Sequence, residues 1–213
     1  MGDGGAATQK DKWMKKYNII YSDPPWQSEP GWWNNKAWKV SKFEEHYETM
    51  SVNEICALPI KDIAASNAHL YLWATSRDLL LGRACQVCEA WGFRPMNVIT
   101  WCKTQKGLGN YFRNDTEHLV FGVRGQMSTT DATNNQGTHF MHGRGRHSAK
   151  PPIVRNWIVA WSGDLPRIEL FARRTTTPSL FNEQNDELVG WDAMGYDISG
   201  KSIEQELDEL TNA

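Results

Sequence analysis

The sequence predicts an α/β fold in which helices cover a mainly parallel sheet. Short runs of β-branched and aromatic residues alternate along the chain with segments of helical periodicity. The chain has 213 residues, of which 40% are hydrophobic, and it shows no internal repeat and no linker long enough to divide it. These observations predict one domain over residues 17–197, a flexible tail at 1–16, and a tail or short helix at 198–213.

Apolar runs of strand length predict five strands. The first is rich in β-branched and aromatic residues and is typical of a buried parallel strand. The second alternates around Leu70, Leu72 and Ala74, which predicts that one of its faces lies in the core. In chain order the predicted strands are Tyr17–Ser22, His69–Thr75, Met96–Cys102, His118–Val123 and Arg167–Ala172.

Helical periodicity and capping residues predict the helices. Ser51 can cap a short helix, because Glu54 stands in the capping-box position. The clearest helix ends at Gly92 and has an apolar stripe of Leu79, Leu80, Ala84, Val87 and Cys88. The predicted helices are Val52–Leu58, Asp78–Trp91, Pro151–Trp161 and a short acidic one within Ile198–Leu210.

Composition excludes several classes of protein. The net charge of -2 and the pI near 6.3 require any nucleic-acid contact to come from a local basic surface, which argues against a coating or packaging role. Four cysteines in a chain of this length do not indicate a secreted disulfide scaffold. No apolar run reaches membrane-spanning length. We therefore expect a soluble intracellular protein, cytoplasmic if it is bacterial or phage-encoded.

Two groups of residues could suggest a metal site, and neither has a suitable ligand spacing. Cys85 and Cys88 are three apart on a predicted helix, where they are expected to share a buried face, and no second cysteine pair completes a zinc site. His139, His142 and His147 lie in a glycine-rich loop without a nearby carboxylate. We predict no metal.

The first strand is followed directly by Asp23, Pro24, Pro25 and Trp26. Ligands of open α/β sheets bind outside the carboxyl ends of the strands, so Asp23 is placed to meet one. The two prolines stiffen the backbone beside this carboxylate, and the indole of Trp26 is flat enough to stack on a base. A structural alternative is an ordinary Asp-Pro turn with Trp26 packed in the core.

Two polar stretches are candidates for nucleic-acid contact. Residues 27–48 interleave tryptophans with Lys36, Lys39 and Lys42, a pattern that fits a stacking platform for bases or a surface loop packed down by its aromatic rings. Arg144 and Arg146 lie in the basic loop Gly125–His147, and we predict that they contact phosphates.

Nine stretches, taken in order from Tyr17 to Gly195, resemble one family. They are Asp23-Pro24-Pro25-Trp26, Tyr47-Glu48-Thr49-Met50-Ser51, Leu72-Trp73-Ala74-Thr75, Trp91-Gly92-Phe93, Trp101-Cys102-Lys103-Thr104, Glu117–Gly125, Ser148-Ala149-Lys150-Pro151, Glu169–Arg173 and Gly190–Gly195. Each stretch alone is weak evidence, and the resemblance rests on their occurring together in the order that the family has. The family is the adenine N6-methyltransferases that include the catalytic subunit of the eukaryotic mRNA adenosine methyltransferase (the MT-A seventy family) and compact bacterial and phage relatives.

The resemblance implies a Rossmann-like methyltransferase fold that uses S-adenosylmethionine, has helices on both faces of the sheet, and carries the catalytic turn before the cofactor strand. It implies that residues 17–197 are the methyltransferase domain and that catalysis falls to Asp23, Pro24, Pro25 and Trp26. The implied substrate-binding residues are Tyr47, Trp101, Glu117 and Lys150, and the implied cofactor-binding residues are Asp23, Lys150, Glu169, Phe171, Arg173 and Asp197.

Some of these implied roles have alternatives. Trp101 could be a core residue, and Glu117 could be a charge at a strand edge. Tyr196 and Asp197 stand where the family usually has Asn followed by Glu or Gln, so either Asp197 substitutes in binding the ribose or that contact has moved.

The expected function is S-adenosylmethionine-dependent methylation of adenine N6 in nucleic acid. DNA is favoured over RNA because the chain resembles the compact relatives. The alternatives are an RNA N6-adenosine methyltransferase and a non-catalytic nucleic-acid-binding subunit, and a homodimer or heterodimer is possible. A subunit that had lost the chemistry is expected to lack the Asp of the catalytic turn or the cofactor residues, and Asp23, Trp26 and Lys150 are all present.

Overall fold

The computed structural model describes residues 15–27, 49–107, 111–144, 149–173 and 188–212. Within these ranges, seven strands form one sheet: β1 Tyr17–Ser22, β2 Ala64–Ala74, β3 Arg94–Lys103, β4 Thr116–Arg124, β5 His139–His142, β6 Arg167–Leu170 and β7 Asp192–Met194. Their spatial order is β5-β3-β4-β2-β1-β6-β7. The strand that carries Asp23 at its end is therefore interior, between β2 and β6.

The helices are α1 Val52–Ala57, α2 Ile60–Ile63, α3 Ser76–Leu80, α4 Arg83–Ala90, α5 Ile153–Ser162, α6 Tyr196–Ser199 and α7 Ile203–Asn212. Apolar residues of α1, α2, α4 and α7 pack on one face of the sheet, and those of α5 pack on the other. The predicted α/β fold with helices on both faces is confirmed. Among the described residues, no helix combines the length and apolar content that crossing a bilayer requires.

Strand direction gathers several segments at one edge of the sheet. β1 runs parallel to both of its neighbours, β2 and β6. β3 is parallel to β5, and β6 is parallel to β7, so the sheet is mainly parallel as predicted. β4 runs antiparallel to both of its neighbours, β2 and β3. The first residues of β4 therefore lie at the edge where the other strands end, and Glu117 pairs with Trp101 near the end of β3.

Alternation along the strands sorts residues between the two faces. Ile20 packs with the cluster under α1 and α4, whereas Ile19 and Tyr21 pack with the cluster under α5. The α5 face also carries Tyr71 and Trp73 of β2, so it is dominated by aromatic rings.

The helix predicted over Asp78–Trp91 is two helices. Thr75 caps α3 in a capping box with Asp78, and Gly82, with φ +70°, separates α3 from α4. Leu80 is the last residue of α3, so it does not continue the apolar face of α4. Its placement in the apolar stripe was wrong, because Leu80 is 85% exposed.

Other boundaries differ for local reasons. The prediction that Cys85 and Cys88 share a buried face was wrong, since Cys85 is exposed and Cys88 is buried. β6 ends at Leu170 and not at Ala172, because Phe171 adopts a left-handed backbone conformation with φ +60°. Beyond residue 197, α7 packs Ile203 on the sheet's core.

Candidate active site

Four charged side chains from separate parts of the chain meet at the edge where the strands end. Asp23 follows β1, Lys103 closes β3, Glu117 is the second residue of β4, and Lys150 precedes α5. The side chains are largely enclosed, with exposed fractions of 21% for Asp23, 8% for Lys103, 23% for Glu117 and 14% for Lys150. Charged groups this enclosed need partners of opposite sign.

These four groups form a chain of alternating charge, which we call the charge network. The Lys150 ammonium lies 2.7 Å from Asp23 Oδ1, 2.8 Å from Asp23 Oδ2 and 3.2 Å from Glu117 Oε2. Lys103 donates to the other oxygen of Glu117, Oε1. Two carboxylates and two ammonium groups balance, so the network has no net charge.

The network shifts the pKa values of its inner members. Burial alone would lower the pKa of the Lys150 ammonium, but the carboxylates of Asp23 and Glu117 raise it above its usual value. Burial would also raise the pKa of Glu117, but the ammonium groups of Lys150 and Lys103 lower it. Both residues are therefore charged at neutral pH.

Aromatic rings lie directly beneath the network. The Lys150 ammonium is 5.4 Å from the Trp73 ring centroid, and that of Lys103 is 4.9 Å from the Trp101 ring centroid. The two tryptophan rings meet edge to face at 6.1 Å. Cation–π attraction to these rings helps to hold each ammonium group in place.

The turn after β1 is fixed by backbone hydrogen bonds. The Trp26 N–H donates to the Pro24 carbonyl at 2.9 Å, and the Met50 N–H donates to the Pro25 carbonyl at 2.8 Å. The Trp26 indole N–H donates to the Trp73 carbonyl at 2.9 Å, and its ring packs partly against the core. The indole thus has a fixed orientation, and its stacking on a base remains a prediction.

Trp101 lies in the aromatic layer and not at the surface. It is 2% exposed, and its indole N–H donates to the His142 carbonyl at 2.9 Å. This burial fits the alternative in which Trp101 is a core residue, and contact of Trp101 with substrate stays a prediction. Glu117, by contrast, is no isolated charge at a strand edge, because it contacts two ammonium groups.

The predicted cofactor residues other than Asp23 and Lys150 lie in β6 or after it. Glu169 is 7% exposed and forms two hydrogen bonds with Arg155 of α5, at 2.5 and 2.8 Å. Phe171 and the half-buried Arg173 follow at the end of β6, whereas Asp197 is exposed in α6. Cofactor contact by these residues remains a prediction.

A close backbone contact joins the two segments that carry these residues. A Cβ added to Gly195 would lie 2.5 Å from the Ala172 carbonyl oxygen and 2.8 Å from the Ala172 nitrogen. Only glycine allows this approach, which brings the start of α6 beside the end of β6.

Of the predicted nucleic-acid contacts Tyr47, Arg144 and Arg146, the structure describes Arg144. Tyr47 and Arg146 lie outside the described residues. Arg144 is exposed, and its backbone N–H donates to the Gln105 side chain at 3.0 Å.

The sequence reasoning missed Lys103. The predicted strand stopped at Cys102, whereas β3 includes Lys103 on the same face as Trp101. Two-residue alternation, extended by one position, would have placed Lys103 on the face of Trp101, but not beside Glu117.

Comparisons with known proteins place the chain in one family. The family model MT-A70 matches residues 17–182. The Type II methyltransferase M.MunI of Mycoplasma sp is 30% identical, over 92% of this chain and 85% of that protein. The N(6)-adenosine-methyltransferase MT-A70-like protein of Arabidopsis thaliana is 23% identical, over 86% of this chain and 24% of its own length.

The human N(6)-adenosine-methyltransferase catalytic subunit METTL3 is 26% identical over 75% of this chain. The match covers 26% of METTL3, so the chain spans about a quarter of these eukaryotic relatives. The family match extends over most of the chain and includes the charge network. The chain therefore belongs to the MT-A70 family of S-adenosylmethionine-dependent methyltransferases.

Proposed function

We propose that the protein methylates the exocyclic N6 amine of adenine in nucleic acid, with DNA as the favoured polymer. The observation that carries the proposal is the Asp23–Lys150 pair at the carboxyl edge of β1, directly before a turn of fixed geometry. The choice of DNA rests on similarity. The chain is 30% identical to the Type II methyltransferase, against 23% and 26% for the two N(6)-adenosine-methyltransferases.

The chemistry requires acceptors beside the amine. The lone pair of an exocyclic adenine amine is delocalised into the ring, which makes the nitrogen a poor nucleophile. Acceptors that bond its two hydrogens favour a tetrahedral nitrogen whose lone pair can point at a methyl donor. Catalysis is then a matter of positioning and electrostatics.

Asp23 retains accepting capacity when Lys150 is bound to it. A carboxylate offers about four lone-pair sites, of which one ammonium group occupies at most two. The Pro24 carbonyl receives one hydrogen bond, from the Trp26 N–H, and has a second lone pair. These two oxygens can therefore accept from the amine, while Trp26 holds the ring.

The residues at this edge fit S-adenosylmethionine. Its amino-acid end is a zwitterion, and Asp23 and Lys150 present one carboxylate and one ammonium group side by side. We infer that these two, with Phe171, Arg173 and Asp197, bind the cofactor, which supplies an electrophilic methyl group. A duplex target must be flipped out or unpaired, because the amine inside the stack cannot be approached in line.

The test is transfer of a labelled methyl group to DNA and to RNA, with nucleoside analysis of the product. We expect Asp23→Asn to lower the rate by about 10² to 10³-fold, since it removes one charged acceptor. Asp208→Asn, at an exposed position of α7, is the matched control. Full activity of Asp23→Asn would refute the assigned role.

The same assay separates the two alternatives. N6-methyladenosine formed in RNA alone would replace the DNA assignment. Cofactor that binds the native state should raise the melting temperature by mass action. No methyl transfer and no thermal shift at saturating cofactor would favour a non-catalytic subunit.

A further inference from the structure

Lys103 is a charged residue in a position where a strand usually carries an apolar one. Its side chain is 8% exposed, on the aromatic face of the sheet beside Trp101. Enclosing an ammonium group is unfavourable unless it is paired, and Glu117 is the pairing group. Well-packed apolar residues often replace such pairs without loss of stability, so packing alone does not require Lys103.

The charge balance at the site gives Lys103 a specific effect. Without it, the single ammonium group of Lys150 would serve two carboxylates, Asp23 and Glu117. Each carboxylate would attract that ammonium, and Glu117 would draw it away from Asp23. In the structure Lys150 lies closer to Asp23, at 2.7 Å, than to Glu117, at 3.2 Å.

We propose that Lys103 is a positioning residue, which neutralises Glu117 so that Lys150 stays on Asp23. The inference deepens the proposed function and rests on it, because Asp23 is the group assigned to the adenine amine. Lys103 acts through Glu117 and Lys150 and touches neither substrate nor cofactor in this assignment.

The proposal has a consequence for pH dependence. Glu117 faces Lys103 from β3 and Lys150 from the segment before α5, with Asp23 beyond Lys150. The neighbouring His118 contacts Ser76 and Thr100. Burial lowers the pKa of His118, and the Glu117 carboxylate partly offsets that effect. Lys103 contributes to the lowered pKa of Glu117, so its loss should allow Glu117 to gain a proton at higher pH.

The kinetic test measures kcat/KM from pH 5 to pH 9. Lys103→Met keeps an unbranched stem without the charge. We expect kcat/KM of this variant to fall about tenfold at pH 7 to 9, where the charged Glu117 competes for Lys150, and the loss to shrink toward pH 5 as Glu117 gains a proton. Lys103→Arg restores the charge and should stay within about twofold of the parent protein. The control Lys201→Met removes a surface pair with Glu209 and should change nothing.

A second readout needs no activity. The carboxyl carbon of Glu117, assigned by comparison with Glu117→Gln, is titrated by NMR in the ligand-free protein. We expect a higher Glu117 pKa in Lys103→Met than in the parent protein or in Lys103→Arg. If the parent protein transfers no methyl group, the proposed function fails while this titration still tests the inference.

Two results would overturn the proposal. One is a Glu117 pKa that Lys103→Met leaves unchanged. The other is an equal loss of activity for Lys103→Met in the parent and in the Glu117→Gln background, because Lys103 has no carboxylate to neutralise there. If Lys103→Met does not fold alone, Glu117→Gln is compared with the double variant. Equal activity of these two supports action through Glu117, and a further loss in the double variant overturns it.

Discussion

Replacing Lys150 with Met is the most direct perturbation of the charge network. At an effective dielectric constant of about 20, an ammonium group 2.7 Å from one carboxylate and 3.2 Å from another gains roughly 5–6 kcal/mol from each. Desolvation offsets most of this gain, and removal of one partner from an enclosed pair costs about 3–5 kcal/mol. Because Asp23 and Glu117 are each about one-fifth exposed, we expect the lower value, about 3 kcal/mol at pH 7.

The assay is urea unfolding of both proteins between pH 3 and pH 8. The pKa of Glu117 is lowered in the folded state, so its contribution to stability is present above its unfolded pKa of about 4.3 and is lost as pH falls through the folded value. The deficit of Lys150→Met should therefore be full above about pH 5 and shrink below pH 4.

Lys201→Met is the control, because its exposed pair with Glu209 should contribute less than about 1 kcal/mol. A deficit below about 0.5 kcal/mol at pH 7 would show that Lys150 does not neutralise the two carboxylates. A large deficit that is equal at pH 7 and pH 3 would assign the effect to packing of the lysine stem.

Three further outcomes are expected. Burial lowers the pKa of His69, so its contribution to stability is present above pH 6.5 and is lost as pH falls through the folded value. His69→Gln should therefore flatten the fall of the unfolding free energy below pH 6.5, by at most about 1.4 kcal/mol per pH unit, and an unchanged slope in urea unfolding would contradict this. Gly195→Ala should lower the unfolding free energy by about 1–3 kcal/mol and weaken cofactor binding, because the Ala172 backbone occupies the space of the added Cβ. Calorimetry measures the binding, and values equal to those of the parent protein would exclude the steric argument. Replacing Arg144 and Arg146 with Ala should reduce the slope of log K against log salt for nucleic-acid binding by about 2, and an unchanged slope would remove this loop from the interface.

The sequence predicts those parts of the site that follow from local rules. A β-branched run followed by Asp-Pro-Pro predicts β1 and places Asp23 at its end, and Ser51 with Glu54 predicts the start of α1, where the capping box is present. Both features depend on a few adjacent residues, and propensity rules describe such local effects.

Other features depend on residues distant in the chain. The direction of β4 and the contact of Lys103 with Glu117 are set by strand pairing, which no local pattern reveals. β5 and β7, with four and three residues, are too short for a periodic signal. The break at Gly82 was missed because one glycine within a helical pattern is usually tolerated.

The interior position of β1 has a consequence for folding. Tyr21 pairs with Tyr71 on one side and with Glu169 on the other, about 50 and about 150 residues along the chain, so closure of the second side has a high entropic cost. We expect β1 to complete its pairing late. A newly synthesised chain would then acquire the complete set of reactive groups only after most of its sequence has emerged and docked, and truncated or partly folded copies would be inert.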